Sequence, residues 1–131
     1  MHHVIFRFLL GVAAAIFGFG GVVHARAYFA KALPGLDSSN LPSFMAAEFK
    51  VLWLADSTTL IAVALLLAYL VLRPSAADRT AIMLLALLPA ATAALLYVFL
   101  GSFYAAHMLM AASALVFAGG LMLQSSQTAA S

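Results

Sequence analysis

The sequence predicts an all-α integral membrane protein, an up-down four-helix bundle of four transmembrane helices with the third kinked at Pro89. Three observations carry that expectation. Of the 131 residues, 66% are hydrophobic and 8% charged, whereas a soluble chain is about one-quarter charged. The apolar residues fall into four stretches, each near or above the roughly 20 residues that cross a bilayer as a helix. The connections after the second and third stretches are so short that their flanking helices must be antiparallel neighbours. A soluble domain of this size buries only part of its apolar surface, so the bilayer has to supply the rest. No polar stretch is long enough for a second domain, and residues 1–131 read as one.

The first span covers about 4–31, with Arg7 near its start. Pro34-Gly35 and Asp37-Ser38-Ser39-Asn40, followed by Pro42, predict the longest polar loop. The second span, 43–72, is stopped by Arg73-Pro74-Ser75, because proline cannot continue the hydrogen-bond ladder and restrains the residue before it. Asp78 predicts an N-cap for the third span, 79–100. Pro89 lies near the middle of that span; its ring clashes with the carbonyl of Leu85 and predicts a kink, which neighbouring helices in a membrane can accommodate. Gly101-Ser102 makes a tight turn into the fourth span, 103–123, and residues 124–131 form a polar tail. Arg7, the apolar run to Val23 and Ala25-Arg26-Ala27 resemble a secretory signal with a small-x-small cleavage site. Its length and the arginine within the motif weigh against cleavage.

Six basic against four acidic side chains give a net charge of +2, but they form no basic run; nucleic acid is not an expected partner. The absence of cysteine excludes a disulfide framework, a thiolate metal site and a dithiol redox relay of the vitamin K epoxide reductase kind. Arg7, Arg73 and Arg79 fall at one end of the bundle and Arg26, Lys31 and Lys50 at the other, where Asp37, Glu48 and Asp56 also lie. The less compensated cations are those on the termini side, which places both termini in the cytoplasm.

In this topology the end of the first span, the start of the second, the end of the third and the start of the fourth meet at one membrane face. His24 and Arg26, then Glu48, Lys50, Trp53, Asp56 and Ser57, then Tyr97, then Tyr104 and His107 all fall there. Ionisable groups within a span are costly and mark functional sites. Asp56 lies about 8 Å along the helix from Val51 and needs a cation or a proton to offset it, with Arg26 and His107 the expected partners. Lys50 is about 120° around the helix from Asp56, which argues against a direct bond between them. Ser57, Thr58 and Thr59 can donate to carbonyls or to the carboxylate.

Ala14, Gly18, Gly21 and Ala25 form a small-residue stripe that lets a neighbouring helix approach. Gly20 and Gly21 are expected to leave room beside the His24 imidazole. Trp53, Tyr97 and Tyr104 suit the interfacial aromatic belt, with ligand contact as the sharper alternative. No metal or other cofactor is expected. The alternative is a haem between His24 and His107, which carry no spacing motif. His2-His3 is a loose terminal pair, and no nucleophile elbow, phosphate loop or zinc-protease helix occurs.

The stretch Lys50-Val-Leu-Trp-Leu-Ala-Asp-Ser-Thr-Thr, with His24 before it and His107 after it, resembles in its setting the small bacterial four-helix membrane proteins of the DoxX-like kind. The resemblance covers most of the chain as architecture and implies a bacterial inner membrane; it carries no activity. The leading expectation is therefore a lipid-facing polar pocket formed by His24, Arg26, Asp56 and His107. It would bind a lipid- or quinone-like amphipathic ligand or dock a partner subunit. The alternatives are a membrane enzyme or redox protein using His24, Asp56 and His107, and a small transporter subunit acting as a homo-oligomer or within a larger membrane complex.

Overall fold

A computed structural model of the chain describes residues 2–127, with side chains through 123. The expected tail at 124–131 therefore lies largely outside the described residues. Among the described residues, four helical stretches are long and apolar enough to cross a membrane: His2–Asp37, Ser43–Leu72, Arg79–Leu100 and Tyr104–Leu123. Among the described residues there is no strand.

The first stretch comprises α1 (His2–Ala27), a π-helical turn (Tyr28–Ala32) and the short α2 (Leu33–Asp37). Pro34-Gly35 thus lies within helix and not in the expected loop. The wider π turn carries the Leu33 N–H to the carbonyl of Tyr28. Pro34, which has no N–H to place, sits at the start of the helix that resumes. The chain leaves helix only at Ser38, where the Ser38 and Ser39 hydroxyls cap the carbonyls of Gly35 and Leu36.

The second stretch is a single helix, α3 (Ser43–Leu72), ended by Arg73 in a non-helical conformation and a 3-10 turn at Pro74–Ala76. Asp78 caps the third stretch, its Oδ1 accepting from the Ala81 N–H at 2.8 Å. That stretch is divided into α4 (Arg79–Leu85) and α5 (Leu87–Leu100), interrupted at Ala86. Pro89 supplies no donor to the Leu85 carbonyl, and the next bond, from Ala90 N–H to the Ala86 carbonyl, is long at 3.4 Å. The hydroxyl of Ser113, from the last helix, donates to that Ala86 carbonyl at 2.7 Å inside the protein. Gly101, at φ 70°, turns the chain into α6 (Tyr104–Gln127).

α1 and α6 form the middle of the molecule: α3 packs on α1, and α4 and α5 pack on α6. Phe6, Leu10, Ala13 and Phe17 are buried on α1, spaced four, three and four apart as one helical face requires. They join Ala64, Leu67 and Leu70 of α3, Ile82 and Ala86, and Ala112 and Val116 of α6. Two glycines of α6 make this possible: a Cβ on Gly119 would overlap Leu10 Cδ1, and one on Gly120 would lie 2.8 Å from Met83 Cγ. The outer faces remain apolar, with Leu72, Val98 and Phe99 each more than 70% exposed.

Candidate functional site

The site is built where α1 crosses α3. Gly21 sets the approach, because a Cβ there would stand 3.1 Å from the Ser57 carbonyl oxygen, 3.2 Å from the Ile61 nitrogen and 2.8 Å from Ile61 Cγ1. The space expected beside the imidazole is thus filled by α3 at Gly21 and open only at Gly20. This close approach brings His24, three residues further along, against Trp53, Asp56 and Ser57.

Four contacts fix the histidine. Its Nδ1 lies 2.9 Å from Ser57 Oγ and 3.6 Å from Asp56 Oδ2. Its ring stacks on the Trp53 indole, with centroids 4.7 Å apart and planes 14° from parallel. The Trp53 Nε1–H donates to the His24 carbonyl at 3.0 Å. Ser57 is buried and its hydroxyl donates to the Trp53 carbonyl at 3.1 Å.

The Ser57 hydroxyl ties the tautomer of His24 to the placement of its own hydrogen. A hydroxyl has one hydrogen, and Ser57 directs it to the Trp53 carbonyl. With the hydroxyl hydrogen on the carbonyl, Ser57 Oγ meets Nδ1 as an acceptor, and the matching tautomer is the one with the hydrogen on Nδ1. Asp56 Oδ2, beyond hydrogen-bond length, adds an attraction of the same sense. In the neutral ring Nε2 is then a bare acceptor, and no described protein group occupies it. The side chains of His24 and Asp56 are 32% and 44% exposed, so the pair opens outward. The π-helical turn begins at Tyr28, one turn beyond His24; such turns recur near functional sites.

The other expected members lie elsewhere. Arg26 is exposed and forms no ion pair with Asp56, whose carboxylate lies instead beside the His24 ring. Lys50 pairs with Asp37 at 2.6 Å, tying α3 to the end of α2. Glu48 and Lys31 are exposed. His107 belongs to the seam between α5 and α6: Tyr97 Oη meets its Nδ1 at 2.7 Å and Ser102 Oγ meets its Nε2 at 3.2 Å. Both ring nitrogens are thus engaged in holding the Gly101-Ser102 turn, and no hydrogen bond or ion pair joins His107 to Asp56. Tyr104 packs edge-on against Phe103 and is 65% exposed. Thr58 and Thr59 donate back to carbonyls of their own helix and not to Asp56.

The expected single cluster of His24, Arg26, Asp56 and His107 is therefore two arrangements on different helix pairs. The stack of Trp53 on His24 and the Ser57 acceptor depend on the crossing geometry of α1 and α3, which residue spacing alone does not give. No protein-family model, curated protein or solved structure matches the chain.

Proposed function

We propose that the chain is a bacterial inner-membrane protein whose α1–α3 site binds the polar head of an amphipathic ligand, with a hydroxyl of the ligand donating to His24 Nε2. The observation that carries this reading is the engaged Nδ1 beside an unoccupied Nε2 on a ring stacked against Trp53. An acceptor on an aromatic wall suits a hydroquinone or another ring-borne hydroxyl, whose apolar tail would lie along the exposed hydrophobic side chains of α3. Membrane placement is supported by the four long apolar stretches and by outer faces that water would not tolerate over such an area. The interruption at Ala86 supports a kink in the third span, with Pro89 as its cause. Arg7, Arg73 and Arg79, opposed only by Asp78, support cytoplasmic termini. The His24 site then lies in the outer half of the membrane.

The test is binding of an isoprenoid hydroquinone, and of its dimethyl ether, to the protein in lipid nanodiscs. The ether keeps ring and tail but has no hydrogen to donate. The hydroquinone should bind roughly tenfold or more tightly than the ether, and the difference should vanish in His24→Ala. Equal affinity for the two compounds in the wild-type protein would refute the reading.

A further inference from the structure

At the opposite end of the molecule, a cavity of about 300 Å³ opens between the start of α1, the connection from α3 to α4, and the late part of α6. Its polar lining is His3, Ser75, Asp78 and Arg79, and Pro74, Ala77 and Leu123 supply an apolar wall. We infer that this cavity holds a phosphate group carried by a phospholipid head, with the Arg79 guanidinium as its principal ligand.

Arg79 lines the cavity, and among the described residues its side chain makes no hydrogen bond or ion pair, although Asp78 is its neighbour in sequence; its Nε, the atom next to the guanidinium fork, is buried without a partner. A buried donor without an acceptor is a standing cost to the fold. Ser75 and His3 line the same cavity, and among the described residues neither side chain has a hydrogen-bond partner. The main-chain amide at the start of α4 is already taken, since Asp78 Oδ1 accepts from Ala81. What the cavity offers is therefore a guanidinium and two side chains able to donate, beside the one carboxylate of Asp78. Guanidinium matches phosphate in both charge and fork geometry.

The surrounding charge agrees. Arg7 lies one turn beyond His3 on the same face of α1, and Arg73 directly precedes Pro74. With Arg79 they outnumber the one carboxylate, Asp78. The second Asp78 oxygen has no partner among the described residues and suits a head-group hydroxyl or ammonium beside the phosphate. A volume of 300 Å³ is at the small end for ligand sites and fits a head group without its tails, which would pass over the apolar wall into the bilayer. This site is independent of the His24 reading.

The experiment is native mass spectrometry and thermal unfolding of the delipidated protein in detergent, with phosphatidylglycerol, diacylglycerol or inorganic phosphate added. Phosphatidylglycerol should bind one to one and raise the unfolding temperature, whereas diacylglycerol should not. Arg79→Gln should weaken binding roughly tenfold or more, and Arg79→Lys should fall between. Ser75→Ala, at an exposed position without partners, leaves the fold intact and should weaken binding several-fold, while His24→Ala should leave it unchanged. Saturable, Arg79-dependent binding of inorganic phosphate alone would support the phosphate site and identify its occupant as free phosphate. Equal effects of diacylglycerol and phosphatidylglycerol, or lipid binding unchanged in both Arg79→Gln and Ser75→Ala, would overturn the inference.

Discussion

The Trp53 indole lies nearly parallel to the His24 imidazole at 4.7 Å and donates its N–H to the carbonyl of that same histidine. One side chain thus fixes both the ring and the backbone of His24. Trp53→Phe retains an aromatic face but loses the donor, and should cost about 1 kcal/mol; Trp53→Leu should cost a further ~1 kcal/mol through the lost ring pair. Thermal unfolding in detergent measures both. Trp53 is the only tryptophan, so its fluorescence should change in His24→Ala and remain unchanged in His107→Ala.

Gly21 and Gly20 provide an adjacent pair with opposite expectations. Alanine at 21 would press on the backbone of α3 at Ser57 and Ile61 and should destabilise the protein by about 1–3 kcal/mol, separating His24 from Ser57. Alanine at 20 meets open space and should be neutral or stabilise by up to about 1 kcal/mol through helix propensity. Chemical denaturation of the two variants in mixed micelles separates them.

How far the sequence discloses the site is clearest at these residues. The helices themselves were legible because each is an apolar run bounded by proline, glycine or a capping aspartate, and the Asp78 cap forms as residue order implies. The loop expected at Pro34-Gly35 was not, since a π turn lets the helix run through the proline. His24, Trp53, Asp56 and Ser57 were recognisable as candidates from their depth in the spans. Which of them touch depends on how far α1 and α3 approach, and that is decided by one missing Cβ at Gly21. His107 shared their depth but not their helix pair. The Arg79 cavity was not legible, because His3 and Leu123 meet the 74–79 segment only through tertiary packing.

Ser113 is a second buried polar group with a specific task, donating to the Ala86 carbonyl where α4 gives way to α5. Ser113→Ala leaves that carbonyl with only the long bond from Ala90. The expected loss is about 0.5–1.5 kcal/mol, with faster amide hydrogen exchange confined to residues around 86–90. Ser113→Thr, which retains the hydroxyl but adds a methyl group, should keep the exchange pattern.

His107 and His24 should behave as separate sites. Tyr97→Phe and Ser102→Ala each remove one partner of the His107 ring and should loosen the α5–α6 turn without changing hydroquinone binding. In a double-mutant cycle, Tyr97→Phe and Ser57→Ala should add within about 0.5 kcal/mol. A coupling above about 1 kcal/mol would show that the two histidines share a network.

Donation from a ligand hydroxyl to His24 Nε2 requires the hydrogen of the neutral ring to reside on Nδ1. Nitrogen-15 NMR of histidine-labelled protein in nanodiscs, with the His24 signals assigned by their loss in His24→Gln, reads this directly. The neutral ring should show a protonated Nδ1 and a bare Nε2, and added hydroquinone should shift Nε2 as it accepts a hydrogen bond. A neutral ring protonated on Nε2, with Nδ1 accepting from Ser57, would contradict the account.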